Sequence, residues 1–252
     1  FAVTGTDYFR AYIFAAIPPL IAVAILYFFV SDSKQSSKAD ADDAHAEDKR
    51  SMHIRDILKL DRNYWIVIAV GCIFMFSNYS GAFMILQVER QGVSEALIPC
   101  VMIIQNFCAM IAAFPLGRLS DKIDRRIPLG IGFFLTILAD IALASHGSLW
   151  LVLTGVGLWG MQMGMTYTLL STKIADTVPK GLRGTGFGIY FIVVAAAVFA
   201  TNSLSGYLAD TFTNDAVFWM SAASATLALI AIPLIKPAKK VYETSEESPS
   251  KS

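Results

Sequence analysis

The sequence predicts an all-α membrane protein with seven transmembrane helices, and three observations carry that prediction. Seven long apolar runs occupy residues 11–30, 65–88, 96–117, 127–145, 149–170, 184–209 and 216–235. Asp140 is the only charged residue inside any of them. All twenty Lys and Arg lie outside the runs, and eighteen of them fall on what alternation makes one side of a membrane. A helix rises about 1.5 Å per residue and a bilayer core is roughly 30 Å thick, so about 20 apolar residues span it. With 55% hydrophobic residues and a mean hydropathy of +0.56, a soluble chain of 252 residues would expose too much apolar surface.

Taken in order, the first run is followed by residues 31–50, rich in Ser, Ala, Asp and Lys, which have the composition of a solvated linker. Residues 54–60 alternate apolar and charged positions at helical spacing. They suit a short helix on the inner membrane surface, or a plain lead-in to the second run. The division is thus a helix at 1–30, a linker at 31–64, six helices over 65–235 and a tail at 236–252. Three residues, His146, Gly147 and Ser148, join runs four and five, which forces those two helices to be antiparallel neighbours.

Placing the linker in the cytoplasm puts Lys34 to Arg62, Arg118 to Arg126, Lys173 to Arg183 and the Lys residues of the tail inside, leaving Arg10 and Arg90 outside. The expected placement is multi-pass in the cell (inner) membrane, N-terminus out and C-terminus cytoplasmic. Acids and bases are equal in number, so net charge indicates no nucleic-acid partner. Cys72, Cys100 and Cys108 all lie in apolar runs, as small core residues rather than a disulfide framework. His45 and His53 fall in the polar linker, where solvation is expected, and no metal or cofactor site is indicated. The chain opens Phe1-Ala2-Val3 without signal-peptide features and reads as part of a longer membrane protein.

The turn between runs three and four reads Gly117-Arg118-Leu119-Ser120-Asp121-Lys122-Ile123-Asp124-Arg125-Arg126. Glycine permits close backbone approach, Asp121 can accept from backbone N–H groups at a helix start, and paired arginines can clamp carboxylates or lipid phosphates. A basic turn that merely satisfies the orientation rule is the simpler alternative. Before run six stands Pro179-Lys180-Gly181-Leu182-Arg183-Gly184.

Gly-x-Leu-x-Asp-x-x-x-Arg-Arg resembles the cytoplasmic loop signature of the major facilitator superfamily, and Pro-x-x-x-Arg-Gly resembles the segment that opens that family's eleventh helix. The resemblance implies one helix of an N-terminal half, a central loop and a six-helix C-terminal half. It also implies a missing N-terminal half as partner, with three-plus-three inverted repeats around a central site. It further implies a cytoplasmic gate in which Asp121 meets the start of the Arg183 helix while Arg125 and Arg126 tie down helix ends, beside Gly117. A helix-end charge is worth about 0.3–2 kcal/mol, enough to bias a balanced equilibrium. Asp124 departs from the family's usual glycine, so the tight turn is expected either to be reshaped or to carry an added ion pair with Arg125 or Arg126.

A transporter needs polar groups at mid-depth. Asn78, Gln105, Asn106 and Gln162 fall near the middle of their runs, with Asn202 in the outer half of run six. Tyr79, Trp159 and Tyr167 accompany them, and Gly155, Trp159, Gln162 and Thr166 recur at three- and four-residue steps along one face. These residues form the candidate substrate cavity, suited to small uncharged or amphipathic organic molecules. Each amide alone also reads as interhelical glue, worth about 0.6–2 kcal/mol. Asp140 is a possible proton site, or else pairs with a neighbouring helix or reaches the outer surface. The coupling proton is expected in the missing half.

Gly160-x-x-x-Gly164 and Gly184-x-x-x-Gly188 allow close helix approach, and Pro18, Pro19, Pro99, Pro115 and Pro233 can bend spans. The phosphate loop of ATP-driven machines is absent, as are the His-Glu-x-x-His, paired-acid and Ser-His patterns of an enzyme. The sequence therefore reads as a secondary transporter, with ion-driven efflux expected and lipid and protons as further partners. A complete seven-helix receptor is the alternative.

Overall fold

The computed structural model describes residues 60–236 except His146, together with Ile13, residues 17–21 and Ile25. Side chains of Glu95, residues 116–119, Asp121, Lys122 and Lys180 fall outside the described set. The expected linker, surface helix and tail also lie outside it, except at the linker's last few residues and Lys236. The chain divides into two units, Phe1–His53 and Ile54–Ser252. In the first, the described residues are helical and exposed.

In the second unit the described residues form seven α-helices and no strands: α1 Arg62–Met75, α2 Gly81–Arg90, α3 Ile98–Lys122, α4 Arg126–Ala144, α5 Leu149–Thr177, α6 Arg183–Thr211 and α7 Asn214–Ala231. Four segments, Ile98–Pro115, Arg126–Ala144, Arg183–Thr211 and Asn214–Leu234, are long and apolar enough to cross a membrane. α5 matches α6 in length, at 29 residues each. Gly92, at φ 81, occupies the left-handed position just past α2, where its N–H donates to the Glu89 carbonyl and turns the chain back.

The run at 65–88 corrects the expectation of one helix, because it forms α1 and α2 with a break at residues 76–80. Its polar residues explain why. The Ser77 hydroxyl donates to the Phe74 carbonyl at 2.6 Å, and Ser80 caps α2 by accepting from the Ala82 N–H at 3.3 Å. Short polar side chains that bond locally to the backbone compete with helix continuation.

α5 packs along α4 and α3, α7 lies against α4 and α1, and α1 also meets α6. At the end bearing the basic turns the core gathers Tyr64, Phe74, Phe133, Leu170 and Ile174. The opposite end gathers Tyr79, Met84, Leu143, Val156, Trp159 and Phe218. Gly160 and Gly164 set the α3–α5 contact, since a Cβ at either would collide with the carbonyl oxygens of Gln105 and Ala109. Gly184 and Gly188 meet nothing among the described residues, so the second small-residue pair makes no close contact there.

Candidate functional site

Breaking a helix inside an apolar layer strands backbone carbonyls that no water reaches, and each must find a donor. The Phe76 and Asn78 N–H groups reach the Ile73 and Met75 carbonyls at 3.2 and 3.0 Å, and hydroxyls from two neighbouring helices stand at these two carbonyls and at that of Ser77. Ser224 of α7 donates to the Ile73 carbonyl at 2.5 Å, Thr201 of α6 is 3.1 Å from that of Met75, and Ser221 of α7 is 3.1 Å from that of Ser77. None of these three hydroxyls was singled out from sequence. The available signal was Ser221 and Ser224 at three-residue spacing on an apolar helix.

Asp140 of α4 lies at the same break and is fully buried. Its carboxyl receives the Tyr79 hydroxyl at 3.0 Å on one oxygen and stands 2.5 Å from the Ser221 hydroxyl on the other. Of the readings open for this residue, the structure selects pairing with neighbouring elements over exposure at an outer surface. The Tyr79 ring in turn lies 5.9 Å from Trp159 and 5.3 Å from Phe218.

The remaining mid-depth residues separate into three groups. Gln105, Trp159 and Gln162 are buried, and among the described residues Gln105 Oε1, Trp159 Nε1 and Gln162 Oε1 have no hydrogen-bond partner. Asn78 is half-buried and meets the Tyr167 hydroxyl, near Tyr190, whose own hydroxyl meets Ser171. Asn106 and Asn202 each donate to their own helix, to the Met102 carbonyl at 2.8 Å and the Val198 carbonyl at 2.9 Å. Asn106 also borders an open apolar groove with Ile103, Phe107 and Met110.

One face of α5 differs from its expected role. Thr166 is fully buried, donates to the Gln162 carbonyl and abuts Gly132 of α4, where an added Cβ would come within 2.6 Å of its hydroxyl. Gly155 lies as tightly against Leu143 and the Ala139 carbonyl. At Gly155 and Thr166 this face is thus a helix contact rather than a cavity wall. Glycine and a back-bonded threonine allow two helices to approach, which gives the same spacing as a polar lining.

At the basic end, Asp124 receives the Arg126 backbone N–H at 3.0 Å and its Nε at 2.8 Å. Arg126 Nη1 donates onward to the Ile235 carbonyl at 3.1 Å, beyond α7. Arg125 pairs with Asp176 near the end of α5. Lys173, almost fully buried, places its ammonium 4.0 Å from Asp124. Burial raises the Asp124 carboxyl, yet the hydrogen bonds and charge of Arg126, with Lys173 beyond, outweigh it and hold the group below the usual carboxylate range. The ion pair expected at Asp124 is present, with Arg126. Arg183 is exposed at the start of α6, and the Asp121 side chain lies outside the described residues. Gly117 is within α3, its surroundings likewise undescribed.

The sequence model of a family described as Major Facilitator Superfamily matches residues 88–251. An uncharacterized MFS-type transporter of Methanocaldococcus jannaschii is 26% identical over 60% of this chain and 40% of its own length. The inner membrane transport protein YajR of Escherichia coli is 28% identical over 67% of this chain and 38% of its own. The chain therefore spans about two fifths of these relatives. A crystal structure of a peptide transporter in complex with alafosfalin shares the fold, with a TM-score of 0.59 and 18% identity over 68% of this chain and 37% of that one.

Proposed function

Because the chain belongs to the major facilitator superfamily, whose matched relatives are transport proteins, we propose that it is the C-terminal part of a secondary transporter. In this reading it moves a small organic solute by alternating access, and an ion gradient drives efflux. Family membership makes it a multi-pass membrane transport protein, and it favours this reading over a seven-helix receptor. The gate at the basic end would face the cytoplasm, as the distribution of Lys and Arg supports.

The observation that carries the binding site is the set of buried, unpaired atoms at Gln105, Trp159 and Gln162. A buried polar atom without a partner costs about 1–3 kcal/mol, and these three, on α3 and α5, are the ones among the five such atoms of the described residues that offer hydrogen bonds at mid-depth to something outside the chain. A donor and two acceptors beside aromatic rings suit a neutral or amphipathic solute. Asn78 and Tyr167, half-buried near Tyr190, extend the same polar region.

Uptake of a panel of labelled solutes into vesicles holding the full-length protein tests this. For the transported solute, Gln105→Ala and Gln162→Ala are expected to raise KM about tenfold, the worth of one hydrogen bond of about 1.4 kcal/mol. Unchanged affinity in both would reduce these amides to structural groups. Asp140→Asn in the same assay locates the coupling proton. Retained pH dependence is expected if that proton binds in the other half, and its loss with intact expression would move it to Asp140.

A further inference from the structure

We propose that Asp140 carries a bound proton in this fold, held in a site made by its carboxyl, the Tyr79 and Ser221 hydroxyls and the Ser77 carbonyl. The count of hydrogens leads there. Three acceptors converge, the two Asp140 oxygens and the Ser77 carbonyl oxygen, and two hydroxyls serve them. Ser221 lies 2.5 Å from Asp140 Oδ2 and 3.1 Å from the Ser77 oxygen, yet a serine has one proton to give.

With Asp140 ionised, Ser221 must choose. Donating to the carboxylate strands the Ser77 carbonyl at a helix break, and donating to the carbonyl leaves a charged oxygen 2.5 Å from a lone pair. One additional proton on Oδ2 resolves both. Asp140 then donates to Ser221 Oγ, Ser221 donates to the Ser77 carbonyl, and Tyr79 donates to Oδ1, so every donor and acceptor in the set is used.

Charge balance agrees. Among the described residues no basic side chain bridges Asp140, and an uncompensated carboxylate buried at this depth is strongly disfavoured. From the break the titratable neighbour is Tyr79, while α5 brings the Trp159 ring behind it. α7 brings Ser221, and its acid, Asp215, is engaged elsewhere by Gln87 and Arg90. The proton thereby links α4 and α7 to the break between α1 and α2. Releasing it would leave the Ser77 carbonyl in need of a new partner, so deprotonation and rearrangement of the break are linked events.

Infrared spectroscopy of the full-length protein in lipid at neutral pH tests the site without any transport reading. Wild type is expected to show a protonated-carboxyl C=O band that Asp140→Asn lacks. Tyr79→Phe, which removes the donor to the carbonyl oxygen, is expected to move that band to higher frequency. Ser221→Ala should broaden or shift it by removing the acceptor of the carboxyl proton. An Asp140→Asn spectrum that keeps every carboxyl band of wild type would overturn the proposal. Should that variant fail to fold, a band unmoved in both Tyr79→Phe and Ser221→Ala would overturn it equally.

Discussion

Gly160 on α5 lies against the carbonyl oxygen of Gln105 on α3, with no room for a Cβ between them. One turn on, Gly164 meets Ala109 in the same way. The two glycines hold α5 against α3 and so position the Gln105 and Gln162 amides.

Alanine at either position must push backbone against backbone. Gly160→Ala and Gly164→Ala are each expected to destabilise the protein by about 1–3 kcal/mol, the usual range for overpacking a tight contact. Gly184→Ala and Gly188→Ala, which meet nothing among the described residues, should be neutral or gain up to about 1 kcal/mol from helix propensity. Thermal unfolding of the four variants in one detergent gives the comparison, and an equal loss at all four would contradict it.

The helix break leads to a second prediction. Thr201 is 3.1 Å from the Met75 carbonyl and also donates to Ala197 of its own helix, whereas Ser224 serves the Ile73 carbonyl alone. Ser224→Ala and Thr201→Val each remove one hydrogen bond from a carbonyl that keeps a backbone N–H, from Phe76 and Asn78 respectively, and are expected to cost about 0.5–1.5 kcal/mol. Ser203→Ala, at an exposed position on α6, is the control and should change the melting temperature little. If Ser224→Ala melts with wild type, the Phe76 N–H alone satisfies the Ile73 carbonyl.

Those hydroxyls show where the sequence stopped being legible. Runs three to seven appear as α3 to α7 because apolar length and flanking charge are local properties. The break at Phe76–Ser80 interrupts a run without any charge, and its signals, two serines, an asparagine and Gly81, look like ordinary small polar residues of a membrane helix. The first small-residue pair proved a close contact and the second did not, since spacing defines a face but not what lies opposite it. Asp140 stood out as the lone intramembrane charge, but its partners Tyr79 and Ser221 are 61 and 81 residues away and could not be paired from periodicity. Asp124 was the reverse case, because its partner Arg126 is two residues on.

That pair sets a pH dependence. The folded Asp124 carboxyl is held below its usual range, so its contribution is complete above the ordinary carboxylate value of about 3.9 and disappears as pH falls through the lower folded value. The side chains are about a quarter to a third exposed, which limits the pair to about 0.5–1 kcal/mol. Asp124→Asn should melt below wild type at pH 7, and the gap should close on acidification. Denaturation of both proteins from pH 7 to the lowest pH the detergent tolerates measures this, and a gap that widens in acid would contradict it.

The strongest test of the hydrogen-bond count at Asp140 compares two neutral replacements. An asparagine amide can reproduce a protonated carboxyl, its oxygen accepting from Tyr79 and its NH₂ donating to Ser221, which stays free to serve the Ser77 carbonyl. Leucine fills a similar space but offers neither bond, stranding the Tyr79 hydroxyl at about 1–3 kcal/mol, while Ser221 keeps only the Ser77 carbonyl. Asp140→Asn is therefore expected to unfold near wild type at neutral pH, with Asp140→Leu clearly lower. Thermal melts in which Asp140→Asn falls as far as Asp140→Leu would contradict this hydrogen-bond count.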